Sequence, residues 1–238
     1  MRNFDYIKEL GFDNLYRFCA AAEENQVSNP DICAISARRA LEYLVREIYK
    51  MKGLAIGERT SLLELIDGEP FSGFIGDGKV MMAVHYVRKV GNNAAHLVDV
   101  SKREAFFALL NIYNIVGAVL LKLRVVDEVK PFDKTLIPNS VQKPVMVPIE
   151  VKALPTDKAL EAVDKEAVKA SEPVVEIACD ISEAETRKMY IDLMLREAGW
   201  DILTTEGAVQ PLKACIEVEV KGMPNTHEVG YVDYVLFG

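Results

Sequence analysis

Two stretches decide the fold class: Ala214-Cys215-Ile216-Glu217-Val218-Glu219-Val220 and Tyr231-Val232-Asp233-Tyr234-Val235-Leu236-Phe237. The first alternates apolar and charged residues. The second is a β-branched and aromatic run. Both patterns predict strands. Gly222, Pro224 and Asn225 punctuate the connection between them. Upstream, Trp200–Thr204 predicts a further strand. Before it, Ser182 and Glu185 make a capping-box pattern ahead of a helix. Ile191, Met194, Leu195 and Ala198 give that helix an apolar stripe, and Gly199 ends it. The order over 181–238 is helix, strand, strand, strand.

Farther toward the amino end the period changes to that of helices. Asn29-Pro30 reads as a cap with proline at the first helical position. Ile32, Ile35, Leu41, Leu44, Val45 and Ile48 then recur at helical spacing up to Gly53. Ser61 with Glu64 and Ser101 with Glu104 are two more capping boxes. The first opens a short helix ending near Gly68. The second opens a long apolar helix over Phe106–Leu123. Another helix is predicted from about Asp77 to about Ala95. Together these predict a bundle of five or six helices over 1–126. Six of the ten prolines fall between Pro131 and Pro173. Because proline removes a donor and disfavours helix just before it, 127–180 reads as a linker. A short helix is expected near Lys158–Ala170. The fold class is therefore α+β: an N-terminal α-helical bundle, a proline-rich linker, and a C-terminal partial α/β domain.

Composition excludes several classes. The chain has 238 residues, half of them hydrophobic and 27% charged, which suits a packed globular protein. The net charge is −8, spread as +1 over 1–126, −4 over 127–180 and −5 over 181–238. A strongly basic nucleic-acid clamp over the whole surface is excluded, whereas a local site is not. Cys19, Cys33, Cys179 and Cys215 form no CxxC pair and no Cys/His cluster, so no structural zinc is expected. The absence of a secretory segment predicts a cytoplasmic protein with reduced thiols, and no apolar run predicts a membrane span.

In Val84–His96, an unbroken helix would set His85, Arg88, Asn92 and His96 within about 80° of one another. Cation, amide and imidazole on one stripe could grip a phosphate and move a proton. The alternative is that Arg88 and Asn92 satisfy buried groups while Gly91 lets two helices approach, or that Gly91-Asn92-Asn93 ends the helix.

Ala37-Arg38-Arg39-Ala40-Leu41-Glu42, together with Arg88-Lys89-Val90-Gly91-Asn92-Asn93-Ala94-Ala95-His96, resembles a helical domain of unknown function. That domain is often fused ahead of type I restriction R subunits and is similar to HEPN domains. The resemblance spans roughly residues 10–125. Catalytic HEPN ribonucleases carry Arg-x4-His, and here the Arg position is Gly91. The resemblance therefore implies a dimerising, subunit-docking or nucleic-acid-sensing module, with an HEPN-like ribonuclease as the other option.

Ser182-Glu183-Ala184-Glu185-Thr186-Arg187, Ile191-Asp192, Leu195 and Ala198-Gly199-Trp200, followed by Gly230-Tyr231-Val232-Asp233-Tyr234-Val235-Leu236, resemble the opening of the R-subunit nuclease domain. That domain looks like the PD-(D/E)xK class of nucleases. The resemblance implies Asp233 as catalytic strand carboxylate and Mg2+ ligand, and Glu183 as catalytic helix acid. Arg187 becomes a candidate nucleic-acid contact beside Arg88, Asn92 and His96. Glu183 can also be read as a carboxylate favoured by the helix N-terminus. Asp233 shares a face with Tyr231, Val235 and Phe237, and a carboxylate among apolar neighbours needs a partner or a cation. The full-length family implies DNA as substrate, ATP for a motor domain, and modification and specificity subunits as partners, with no membrane. No GxxxxGK[ST] loop is present. Glu150-Val151-Lys152 and Glu219-Val220-Lys221 both precede Asp233, against the family's order. Five residues follow Asp233, so the expectation is an N-terminal fragment of a type I R subunit, inactive alone, with an open strand edge able to pair in a homodimer.

Overall fold

A computed structural model describes residues 2–96, 99–138, 150–164, 191, 195, 198, 200–203, 213–221 and 229–237. It is an α+β structure that divides into two units, Met1–Cys179 and Asp180–Gly238.

The first unit is helical: α1 (Asp5–Glu9), α2 (Asp13–Asn25), α3 (Pro30–Met51), α4 (Leu62–Asp67), α5 (Glu69–Ile75), α6 (Gly78–Ala95), α7 (Lys102–Lys122) and α8 (Lys158–Glu161). Both expected capping boxes form, at Ser61/Glu64 and Ser101/Glu104, each closing orphan N–H groups reciprocally. Pro30 sits at the start of α3, although the Asn29 side chain makes no capping bond. The short helix expected to stop near Gly68 does so, and α5 begins on the next residue. The expected helix near Lys158–Ala170 is seen as the single turn α8; residues beyond 164 lie outside the described set.

Helix α3 is the spine, packing against α2, α6 and α7. Phe4, Phe12, Phe18, Tyr43, Phe71 and Phe74 are fully buried. Each large apolar side chain removed from water contributes about 1.5–3 kcal/mol. Helix α7 is long and apolar enough to cross a membrane, but its surface is mostly buried within the bundle.

Among the described residues, α1, α3 and α7 close with the same pair of backbone hydrogen bonds at their carboxy ends. Gly11 N–H and Phe12 N–H reach Lys8 and Ile7 after α1. Gly53 and Leu54 reach Lys50 and Tyr49 after α3, and Arg124 and Val125 reach Leu121 and Leu120 after α7. This closure needs a left-handed residue. Gly11 and Gly53 supply it at φ +84° and +70°, and Arg124 adopts it at φ +53°.

The expected linker is in part a strap on the bundle. Phe132 packs edge-on to Tyr113 at 5.2 Å, and Tyr113 in turn meets Phe4 at 5.3 Å. Tyr113 Oη donates to the Lys130 carbonyl, and the Asn3 amide exchanges two bonds with the Asp133 backbone. Farther on, Asp157 and Leu160 are buried. Asp157 N–H donates to Tyr43 Oη at 2.9 Å. Prolines break helix here without detaching the chain.

The second unit holds a three-stranded sheet in the order β1 (Asp201–Leu203), β2 (Lys213–Lys221), β3 (Val229–Phe237). β1 runs parallel to β2, and β2 antiparallel to β3. Of the helix expected behind Ser182, only Ile191 and Leu195 are described as helical. Trp200 N–H closes on the Leu195 carbonyl at 2.9 Å, as at a helix carboxy end.

Candidate functional site

Helix α6 starts from Asp77, whose carboxylate accepts from Lys79 N–H and Val80 N–H. It runs unbroken through Gly91-Asn92-Asn93 to Ala95. Arg88 and Asn92 therefore stand one turn apart on one stripe. His85 stands on the same helix, one turn before Arg88. His85 Nε2 lies 3.5 Å from Asp67 at the end of α4. His96 follows the helix as its cap, bonds through its own N–H to the Asn92 and Asn93 carbonyls, and is exposed.

Packing accounts for a glycine at position 91 within α6. A Cβ there would collide with the Arg38 Cβ and lie 2.9 Å from both Arg38 Cδ and the Ala34 carbonyl oxygen. Glycine lets α6 press onto α3 at this point. The crossing brings Arg38 beside Gly91 and near Arg88, far apart in sequence.

The electrostatics centre on Arg38, which the sequence stripe did not include. Burial is the first cause holding the Arg38 guanidinium below its ordinary pKa; nearby Glu42 opposes this, while Arg88 and Arg39 add to it. Arg38 Nη1 is 3.9 Å from Glu42, a loose contact. Arg46 takes the same carboxylate more closely, at 2.9 Å through Nη2 and 3.0 Å through Nε. Arg38 Nε is buried and makes no hydrogen bond among the described residues. The doublet Arg38-Arg39 was visible in the sequence, but only the Gly91 crossing shows what it faces.

In the second unit, Asp233 is placed by strand register. Ile216 pairs with Tyr234 and Val218 with Val232. Between those pairs lie Glu217 on β2 and Asp233 on β3. The pairs on either side leave Glu217 and Asp233 at facing positions of the strand register. Val232 and Leu236 are exposed. Glu183 and Arg187 lie outside the described residues. Of the two Glu-x-Lys triplets, Glu219–Lys221 ends β2, and Val151–Ala153 forms a 3-10 turn in the first unit.

No group of three or more metal-ligating side chains occurs among the described residues. Cys19 and Cys33 are buried, and burial pushes both thiols up, so neither is a ready nucleophile. No family model, curated protein or solved structure matches the chain.

Proposed function

We propose that this chain is the amino-terminal portion of a type I restriction R subunit: an HEPN-like helical unit followed by the opening of a PD-(D/E)xK nuclease domain acting on DNA in the cytoplasm. The motif residues Glu183 to Trp200 and Gly230 to Leu236 support this reading. So does the order of the second unit, with a helix end, a strand and an antiparallel pair whose last member carries Asp233.

The observation that carries the proposal is the register of Glu217 and Asp233. Like charges set opposite each other on neighbouring strands are destabilising. A divalent cation reverses that sign, and Mg2+ needs only one or two protein carboxylates when phosphate and water complete its shell. Asp233 and Glu217 would hold the ion, with Glu183 as the helix acid. The bound ion would supply Lewis-acid polarisation of a phosphodiester and a more acidic water. The ATP motor and the modification and specificity subunits belong to the family and act beyond this unit.

Mn2+ binding by the 238-residue chain, followed by electron paramagnetic resonance, tests the reading. The expected result is saturable binding, weakened about tenfold or more by Asp233→Asn, in line with the loss of a charged ligand. Equal Mn2+ affinity in the wild type and a folded Asp233→Asn variant would overturn it.

A further inference from the structure

We propose that the crossing of α3 and α6 at Gly91 is an anion site that takes a phosphate group, with Arg38 as its central ligand. The inference concerns the helical unit and stands apart from the nuclease reading.

Three observations carry it. The first is charge. Arg38, Arg39 and Arg88 come from two helices to one place, close enough for Arg39 and Arg88 to act on the Arg38 charge. The carboxylate at hand, Glu42, is held by Arg46 more tightly than by Arg38. Like charges packed together repel, and a bound anion offsets that cost.

The second is an unfilled donor. Arg38 Nε is buried without a hydrogen-bond acceptor among the described residues. A buried unmade hydrogen bond costs about 1–3 kcal/mol, so such a donor is retained where it has a use. The guanidinium fork presents Nε and one Nη side by side, a spacing that suits two phosphate oxygens.

The third is rigidity. Gly91 lets the α6 backbone lie directly against Arg38 Cβ and Cδ, which limits where the side chain can go. Asn92, next to Gly91 and half-exposed, adds an amide. A fixed arginine fork with a neighbouring amide and two more cations is a phosphate receptor. Its ligand is either a phosphate within a nucleic-acid chain or a free or terminal phosphate.

The test uses the full chain and three probes: inorganic phosphate, a single-stranded oligonucleotide with a 5′-hydroxyl, and the same oligonucleotide with a 5′-phosphate. Fluorescence anisotropy reads the oligonucleotides directly, and phosphate is read by competition and by the shift in melting temperature. Saturable binding of at least one probe is expected. Arg38→Gln should weaken it about tenfold or more, with Arg38→Lys intermediate because it keeps the charge and loses the fork. Circular dichroism checks that each variant is folded. Should Arg38→Gln fail to fold, the half-exposed Arg39→Gln provides the same comparison. Equal binding of both oligonucleotides identifies a backbone phosphate. A preference for the 5′-phosphate, or effective competition by inorganic phosphate, identifies a terminal or free one. Either pattern with Arg38 or Arg39 dependence supports the site. Absence of binding by all three probes, or unchanged affinity in a folded Arg38→Gln or Arg39→Gln variant, would overturn it. Asp233→Asn should leave this binding unchanged, so failure here is separable from failure of the nuclease reading.

Discussion

Gly91 and Arg38 touch as backbone against side chain: a methyl group at Gly91 would overlap the Arg38 Cβ and crowd the Ala34 carbonyl at 2.9 Å. The obstacle is the base of a side chain and a helix backbone, neither of which can swing aside. Gly91→Ala should therefore destabilise the protein by about 1–3 kcal/mol through overpacking. Gly117 is the comparison. There a Cβ would lie 3.1 Å from Val129 Cγ1, a side-chain methyl that can give. Urea unfolding should show Gly117→Ala costing clearly less, and equal costs would contradict the packing account.

Asp157 caps a helix it does not belong to. Its carboxylate accepts from Asn14 N–H at 2.9 Å and Leu15 N–H at 3.3 Å, in the first turn of α2. The residue at the cap position, Phe12, has no side-chain acceptor to offer. Asp157→Ala should cost about 1–2 kcal/mol, the ordinary value of a lost cap. Asp157→Asn, which keeps an acceptor oxygen, should recover part of that in the same denaturation experiment.

Glu23 sits in the core with one oxygen bonded. Its Oε1 accepts from Asn3 N–H at 3.2 Å and Asn3 Nδ2 at 2.6 Å, and its Oε2 is buried without a partner. Burial raises its pKa above 4.5 despite those bonds. The folded state then keeps a proton that the unfolded state has released. Stability contributed by this group is greatest at low pH and falls as pH rises from about 4.5 through the folded value. Melting temperature between pH 4 and 7 should show that decline, superimposed on other carboxylates. Glu23→Gln should make the profile flatter or more rising, and an unchanged slope would refute the assignment.

Arg124 occupies a left-handed conformation that Gly11 and Gly53 take in the two matching helix closures. An L side chain is disfavoured there by about 1–2 kcal/mol, of which a glycine's greater unfolded-state freedom returns part. Arg124→Gly should raise stability by about 0.5–1 kcal/mol. Gly53→Ala, at φ +70° with open space around it, should lower it by a similar amount. Paired melts of the two variants check the opposite signs.

Local chemistry was readable and distant chemistry was not. Ser61 with Glu64 and Ser101 with Glu104 signal their helices because both halves of each cap lie within four residues. The alternation around Glu217 and Asp233 likewise gives β2 and β3, since strand period is a local property. Helix α2 was not assigned, and its cap comes from Asp157, which no window around residue 13 contains. Gly91 read equally well as a helix end or a packing contact, because only Arg38 on another helix decides between them. The proline-rich stretch reads as a linker. Proline governs backbone shape, however, and leaves side chains such as Phe132 and Leu160 able to enter a core.

The strap sets the practical limits for dissecting this chain. A piece cut at residue 126 would strip Tyr43 and the start of α2 of their Asp157 contacts, and Tyr113 of its Phe132 and Lys130 contacts. A segment that keeps these contacts reaches through Leu160, and a boundary drawn at residue 126 would expose a wound rather than a surface.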